Sequence, residues 1–280
     1  MLLGMIMIIS AALSGLLCWG TGGFEDLTWL WLLPVGFAGI FLVALLLLFG
    51  FLLAVILPLD PETQRENESK FYRRLTNFYI KLIVQILGVK FEVQGMEKRP
   101  KQGRFLLVSN HLHEIDPAIL MRFLPKSQMA FVAKREVKGM FLVGKILPQL
   151  LSPFINREND REALKTILRC IQLLKEDKAS VGIFPEGYIN DQRKLKRFRP
   201  GVFKIAQKAK VPIVVCTLLG TDKALKDVMK LKRPTVRVHL LEVIQPEDFA
   251  DKNTTDIAEY VYGLMAADLG PENCYQEEST

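Results

Sequence analysis

The chain has 280 residues, of which 50% are hydrophobic, a mean hydropathy of +0.19 and a formal net charge of +7. All 37 basic residues and 26 of the 30 acidic residues lie in residues 65–280, which gives this part a net charge of +11. A strongly basic body behind an apolar front without basic residues predicts an anionic partner, either the headgroups of a membrane surface or phosphate-bearing substrates. Nucleic acid is excluded as a partner, because no nucleic-acid-binding motif is present.

Residues 1–64 contain two apolar segments, which we interpret as a membrane anchor of one or two transmembrane helices. Residues 2–19 are almost wholly apolar, and residues 30–57 are apolar without a single charge. A helix needs about 20 residues to cross a bilayer core. The second segment is long enough to span the membrane, and the first either spans it or enters it only part of the way. The N-terminal region lacks the basic residues of a cleaved signal peptide, which favours a retained integral anchor.

The distribution of basic residues predicts the orientation of this anchor. The loop between the two segments, residues 20–28, has no lysine or arginine, whereas Arg65, Lys70, Arg73 and Arg74 follow the second segment. The positive-inside rule therefore places the body of the protein on the cytoplasmic face of the membrane.

Residues 65–88 are predicted to form a basic amphipathic helix. The apolar positions share one helical face: Phe71, Leu75, Phe78, Tyr79, Leu82, Ile83 and Ile86. The polar positions share the other: Lys70, Arg73, Arg74, Asn77, Lys81 and Gln85. Such a helix either docks on the domain core or lies in the lipid headgroup region, and both interpretations stay open.

Residues 89–270 alternate short apolar runs with amphipathic stretches, which predicts an α/β domain with a mostly parallel sheet flanked by helices. The candidate strands are residues 91–94, 105–109, 130–133, 154–156, 180–184, 213–218 and 236–243. The candidate helices are residues 160–175, with Asn159 and Glu162 as a capping box, and residues 202–210. Residues 271–280 are predicted to be a flexible tail. In such sheets, ligands bind at the carboxyl ends of the strands.

The segment Ser-Asn-His-Leu-His-Glu-Ile-Asp-Pro, residues 109–117, follows one of these strands directly. Asp116 and Pro117 are typical of an N-cap and a first helical position, which places His111 and Asp116 on one strand-to-helix loop. A carboxylate there can hold one imidazole N–H and leave the other ring nitrogen as a general base. We therefore predict His111 and Asp116 as the catalytic pair.

Two other kinds of site are possible for this segment, a metal site and the active site of a serine hydrolase. The His-x-His pattern near an acid could bind metal, but Ile115 and Asp116 stand where a metallo-hydrolase of the H-x-H-x-D-H type needs Asp and His. A serine hydrolase using Ser109 would need a G-x-S-x-G elbow, which the sequence lacks here. We expect no metal site.

This segment resembles the signature of the glycerolipid acyltransferase family, Asn-His-x-x-x-x-Asp, at Asn110, His111 and Asp116. Three further blocks match the family in order and spacing across residues 91–241. They are Ser-Pro-Phe-Ile-Asn-Arg at residues 152–157, Phe-Pro-Glu-Gly at residues 184–187 and an apolar strand at residues 211–216. The resemblance implies a 1-acyl-glycerol-3-phosphate acyltransferase that forms phosphatidic acid.

The resemblance also implies the binding residues and the co-substrate. Arg157 is expected to hold the phosphate of the lysophospholipid and Glu186 its glycerol-phosphate end, with Asn110 and Gly187 as further substrate-binding residues. The acyl donor is expected to be an acyl-carrier protein or coenzyme A thioester, without a metal or organic cofactor.

One departure from the family leaves the acceptor open. The family commonly continues Phe-Pro-Glu-Gly with Thr-Arg, whereas this chain has Tyr188 and Ile189. Five basic residues follow closely, and either one of them replaces the missing arginine or they only face anionic lipid: Arg193, Lys194, Lys196, Arg197 and Arg199. The alternatives are an acyltransferase for a different lysolipid and a non-catalytic membrane lipid-binding protein.

Overall fold

A computed structural model describes residues 2–275 of the chain and separates two compact units, residues 1–60 and residues 61–280. The first unit is a hairpin of α1 (Leu2–Gly20) and α2 (Trp29–Ile56). The Ser14 hydroxyl donates to the Leu33 carbonyl at 2.7 Å, and Gly36 packs so closely that a Cβ there would lie 2.7 Å from Ser14 Oγ. Both helices are long and apolar enough to cross a membrane, and few of their residues are buried.

The second unit contains eight strands and eight further α-helices in the part of the chain that the structure describes. The strands are β1 (Lys90–Gln94), β2 (Leu106–Ser109), β3 (Met129–Phe131), β4 (Ala133–Lys134), β5 (Phe154–Ile155), β6 (Ser180–Ile183), β7 (Ile213–Leu219) and β8 (Thr235–Ile244). The helices are α3 (Lys70–Ile86), α4 (Asp116–Phe123), α5 (Val143–Ile146), α6 (Asp160–Lys175), α7 (Lys204–Ala209), α8 (Thr221–Met229), α9 (Pro246–Phe249) and α10 (Thr254–Leu269).

The main sheet has six strands in the order β1-β8-β7-β2-β6-β3. The strands β7, β2, β6 and β3 are parallel, β8 is antiparallel to β7, and β1 is parallel to β8. The predicted mostly parallel α/β fold is thus confirmed. Two predicted strands differ. Residues 130–133 are divided between β3 of the main sheet and β4, and residues 154–156 lie outside the main sheet, because β5 pairs with β4 in a separate two-stranded sheet.

The sheet is covered by helices on both faces. Leu106 and Val108 of β2 pack on one side with residues of α6, α7 and α10, whereas Leu107 packs on the other side with residues of α3, α4 and α8. A strand buried on both faces reads as a continuous apolar run, which explains why the sequence located β2, β6 and β7.

Helix α3 differs from the predicted amphipathic helix in its first residue and in the burial of Arg73. It begins at Lys70, because Ser69 caps it by accepting the N–H of Tyr72. Leu75, Tyr79 and Leu82 are buried, but Phe71, Phe78, Ile83 and Ile86 are exposed, so only part of the apolar face docks on the domain. Arg73, predicted on the basic face, is buried, where its guanidinium donates to Glu68 at 2.7 Å and to the Met129 carbonyl at 2.8 Å.

Two further predictions are corrected at the ends of elements. The Asn159 side chain accepts the Glu162 N–H at 3.1 Å, but the Glu162 carboxylate accepts from Asn156, so the predicted capping box is only half formed. Part of the predicted flexible tail is ordered: the Leu195 N–H donates to Asn273 and the Tyr275 N–H donates to Leu195, both at 2.8 Å. Residues 276–280 of that tail lie outside the described residues.

Candidate active site

The loop between β2 and α4 brings His111 and Asp116 together. His111 Nδ1 lies 2.8 Å from Asp116 Oδ2, the histidine side chain is 17% exposed and the aspartate side chain is fully buried. The same Oδ2 accepts the backbone N–H groups of Leu112 at 2.7 Å and His113 at 2.8 Å. Asp116 is the first residue of α4, whereas the sequence predicts it as the N-cap. Its carboxylate fixes the conformation of the preceding loop through these three hydrogen bonds.

This pairing determines which ring nitrogen can do chemistry. The buried carboxylate favours the tautomer with the proton on Nδ1, so Nε2 carries the lone pair. Within the described part of the chain no group bonds to Nε2. A partly exposed basic nitrogen whose ring is oriented by a buried acid is the arrangement that general-base catalysis requires.

An aromatic stack fixes the plane of the histidine ring. Phe184 lies parallel to His111 with ring centroids 4.0 Å apart, and Phe131 stacks on Phe184 at 5.8 Å. Gly182 of β6 makes room for this stack, because a Cβ there would come within 2.3 Å of the Phe131 ring. Neither phenylalanine is predicted as a site residue from the sequence, although Phe184 stands in the Phe-Pro-Glu-Gly block.

Asn110 ties the loop to the neighbouring strand. Its side chain is fully buried, donates to the Leu218 carbonyl at 2.9 Å and accepts the Leu218 N–H at 2.7 Å. Both polar atoms of the amide are thus engaged with β7, which argues against the predicted direct contact with substrate. Ser109 is also buried and its hydroxyl donates to the Asn110 carbonyl, which does not fit a nucleophile.

Glu186 lies beneath the loop rather than open to solvent. It is 3% exposed, Oε1 accepts the His111 N–H at 2.8 Å and Oε2 accepts the Lys196 N–H at 3.1 Å. Burial raises the pKa of Glu186 to about 8, aided by the charge of Asp116 and opposed by the two N–H donors. This geometry favours a positioning role for Glu186 over the predicted contact with the acceptor.

The raised pKa of Glu186 makes a pH-dependent contribution to stability. The folded protein keeps a proton that the unfolded chain releases, so the free energy of unfolding falls as pH rises from about 4.5 to about 8. Glu186→Gln cannot titrate, and it should remove this part of the slope in thermal unfolding measured across that pH range. The exposed Glu259→Gln serves as control; an equal slope in wild type and Glu186→Gln would contradict the assignment.

One arginine, Arg199, lies beside the turn that follows Glu186, and a second, Arg157, lies near Arg199. Gly187 has a φ of +88°, and a Cβ there would lie 2.9 Å from Nε of Arg199, so glycine permits both the turn and the close approach of Arg199. Partial burial lowers the pKa of Arg157, the charge of Arg199 lowers it further, and Glu136 opposes both. Arg157 therefore lies close enough to Arg199 for the two positive charges to interact. Arg199 lies against Gly187, directly after the Glu186 that accepts the His111 N–H.

Other residues near the loop have supporting contacts. The Arg193 guanidinium donates to the Leu112 carbonyl, and the Ile115 N–H donates to His113 Nδ1 at 3.3 Å. Sequence analysis grouped Arg193 only with candidate phosphate ligands, since a contact across 81 residues has no local signal. Within residues 2–275, no three His, Cys, Asp or Glu residues lie close enough together to hold a metal ion.

Comparison with known proteins identifies the domain that carries this loop. Residues 90–218 match the protein-family model described as Acyltransferase. The chain carries an acyltransferase domain. The matched segment extends from β1 to β7 and contains His111, Asp116, Arg157 and Glu186.

Two of the curated relatives carry the same name. The chain is 28% identical over 182 residues to a 1-acyl-sn-glycerol-3-phosphate acyltransferase of Borreliella burgdorferi, which covers 64% of this chain and 72% of that protein. It is 26% identical over 189 residues to a protein of the same name from Limnanthes alba, covering 67% and 66%.

A solved structure has the same fold. The 1-acyl-sn-glycerophosphate (LPA) acyltransferase PlsC of Thermotoga maritima superposes with a TM-score of 0.59 at 21% identity, covering 74% of this chain and 81% of that chain. This likeness confirms the fold described above.

Proposed function

We propose that this acyltransferase moves a fatty acyl group from an acyl thioester to the free hydroxyl of 1-acyl-glycerol-3-phosphate, which gives phosphatidic acid. The observation that carries the proposal is the 2.8 Å contact between His111 Nδ1 and the buried Asp116 at the carboxyl end of β2. The names of the curated relatives support the choice of acceptor.

The proposed reaction uses His111 as a general base. Nε2 takes the proton of the acceptor hydroxyl as its oxygen attacks the thioester carbonyl. The carbon–oxygen bond of the new ester forms, the carbon–sulfur bond breaks, and the thiolate of the donor leaves with the proton from His111. Asp116 stabilises the imidazolium that forms in between. The donor is an acyl-carrier protein or coenzyme A thioester, and no step requires a metal or organic cofactor.

Arg157 and Arg199 are proposed to bind the phosphate of the acceptor. Guanidinium groups suit this role because their planar fork donates to two phosphate oxygens at once. Arg199 lies against Gly187 and replaces the arginine that the family commonly has after Phe-Pro-Glu-Gly. Glu186 and Asn110 act through the backbone that they hold, rather than through substrate.

Loss of either arginine should weaken acceptor binding more than chemistry. We expect Arg157→Ala and Arg199→Ala each to raise KM for 1-acyl-glycerol-3-phosphate by about 10- to 100-fold, the usual loss for one hydrogen-bonded charge. Steady-state transfer assays check this. Lys101→Ala is the control, since Lys101 is exposed on the loop before β2, at the opposite edge of the sheet. An unchanged KM in both arginine variants would contradict the phosphate site.

A lysolipid with a different headgroup is the alternative acceptor. Tyr188 is exposed where the family has a small residue, and the Lys196 ammonium lies 5.1 Å from its ring. This surface favours a different lysolipid acceptor as the second candidate. Transfer to 1-acyl-glycerol-3-phosphate, compared with lysolipids that carry larger headgroups on the same phosphate, discriminates the two.

The proposed location is an integral membrane protein anchored by α1 and α2, with the acyltransferase domain on the cytoplasmic face. The length and apolar composition of both helices and the absence of basic residues before Arg65 support it. The proposed organisation is an anchor in residues 1–64, an interfacial segment in residues 65–88 and a catalytic domain in residues 89–270. Protease accessibility of the domain in sealed vesicles of either orientation tests this topology.

A further inference from the structure

Helix α8 and the turn after it have an unusual surface. Five basic residues are exposed there, against two acidic residues, Asp222 and Asp227, and the basic residues are Lys223, Lys226, Lys230, Lys232 and Arg233. Among them, Met229 is 77% exposed and Leu231 is 98% exposed. We call residues 229–233 the α8 tip. Sequence analysis assigned it no function.

The turn that exposes Leu231 is ordered by the backbone. The Lys232 N–H donates to the Asp227 carbonyl at 2.8 Å, and the Leu231 N–H donates to the Val228 carbonyl at 2.9 Å. Leu231 has a φ of +56°, a conformation that costs free energy for a leucine. A single exposed leucine is ordinary, but here the turn exposes two large apolar side chains that alternate in sequence with exposed basic residues.

The α8 tip belongs to the same edge of the sheet as His111. Strands β2 and β7 are parallel neighbours, and the Asn110 amide bonds both backbone groups of Leu218. Helix α8 starts at Thr221, two residues after β7 ends, and the chain re-enters the sheet at Thr235. The excursion that forms the tip therefore begins and ends at the edge where the catalytic loop lies.

Helix α3 adds to this surface. The Arg233 guanidinium donates to the Gly88 carbonyl at 3.1 Å, which brings the α8 tip beside the end of α3. Near that end, Ile83 and Ile86 are both exposed. Exposed apolar side chains thus occur on both of the chain segments that this contact joins.

We propose that the α8 tip inserts into an anionic lipid bilayer, with Met229 and Leu231 among the headgroups and the surrounding basic side chains on lipid phosphates. This inference rests on the proposed function, since it holds the His111 edge against the membrane that supplies the lysophospholipid. Exposed apolar side chains with basic residues beside them suit an anionic bilayer, because the apolar groups enter the interface and the charges bind lipid phosphates. A protein partner would instead need a pocket matched to Leu231.

A fluorescent probe at residue 231 tests the insertion without relying on activity. The full-length Leu231→Cys chain in a Cys274→Ser background, whose other three cysteines are buried, is labelled with NBD and placed in nanodiscs of phosphatidylcholine with or without phosphatidylglycerol. We expect blue-shifted emission and quenching by spin-labelled lipid, both stronger with phosphatidylglycerol. NBD at Gln102→Cys, on the exposed loop before β2, is the matched control and should stay in water.

Charge variants and the addition of a candidate protein partner complete this test. Lys226→Gln and Lys230→Gln should each lower the ratio of inserted to free tip about five-fold on anionic nanodiscs. Emission at residue 231 equal to that at residue 102 would overturn the proposal. So would a shift that occurs only when acyl-carrier protein is added, because it would assign the surface to a protein partner.

An activity measurement separates this inference from the proposed function. Met229→Glu combined with Leu231→Glu should lower transfer to lysophospholipid in bilayers several-fold, without affecting transfer to a short-chain, water-soluble lysophosphatidate. Equal loss on both acceptors would contradict a membrane role for the tip. If the labelled Leu231→Cys chain inserts its probe but wild type transfers acyl groups to neither acceptor, the proposed function fails and the membrane contact stands.

Discussion

His111→Ala should lower the rate of acyl transfer by about 10²- to 10⁴-fold, the range that general-base catalysis contributes. The imidazole is the group whose Nε2 is open while Nδ1 is held at 2.8 Å from Asp116. Without it, the acceptor hydroxyl must attack the thioester while it still carries its proton. The loss should appear in kcat, because the acceptor phosphate is held by other residues.

His113→Ala is the control for this variant. His113 lies on the same loop, but its Nδ1 accepts a backbone N–H and it faces Glu114 at 3.4 Å rather than the buried aspartate. We expect His113→Ala to keep most of the activity. Thermal unfolding should show that both variants fold. Full activity in a folded His111→Ala protein would overturn the proposed mechanism.

Asp116→Asn should lower transfer by a similar factor, about 10²- to 10⁴-fold, while the loop stays folded. Asp116 Oδ2 accepts three hydrogen bonds, whereas Oδ1 is buried and has no partner among the described residues. An asparagine can therefore put its carbonyl at Oδ2 and its NH₂ at Oδ1. This keeps the loop but removes the charge that stabilises the imidazolium. The buried, unpaired NH₂ should cost about 1–3 kcal/mol of stability.

The chain offers a matched control for Asp116→Asn in a second histidine–aspartate pair. His239 Nδ1 lies 2.7 Å from Asp268 Oδ1, and both side chains are largely buried. This pair joins β8 to α10 and does not involve the His111 loop. Asp268→Asn should affect unfolding but leave kcat close to wild type. Equal losses of kcat in the two variants would show that Asp116 acts only through general stability.

The strand ends that carry the site could be predicted from sequence because their signals are local. The apolar run before Ser109 marks a buried strand, and Asp116 and Pro117 mark the start of a helix, so the His111–Asp116 loop follows from a few adjacent residues. Helix α6 was predicted at its observed bounds for the same reason, since its apolar face recurs over four turns.

The parts that sequence could not predict depend on contacts between distant residues. The antiparallel pairing of β7 with β8, the bonds of Asn110 to Leu218 and the approach of Arg199 to Gly187 have no local periodicity to signal them. Glu186 shows the same limit: the turn was predicted, but not that both carboxylate oxygens face backbone N–H groups. Arg73 is predicted as a surface residue, because its buried position depends on contacts with Glu68 and Met129 that the local sequence does not signal.

The most direct test of the account is acyl transfer by the purified, detergent-solubilised chain. Labelled 1-acyl-glycerol-3-phosphate is offered with acyl-carrier-protein and coenzyme A thioesters, and the product is identified by mass spectrometry for wild type and His111→Ala. We predict that wild type forms phosphatidic acid and that His111→Ala does not. Absence of product with either donor, or equal product from the two proteins, would contradict the proposed function.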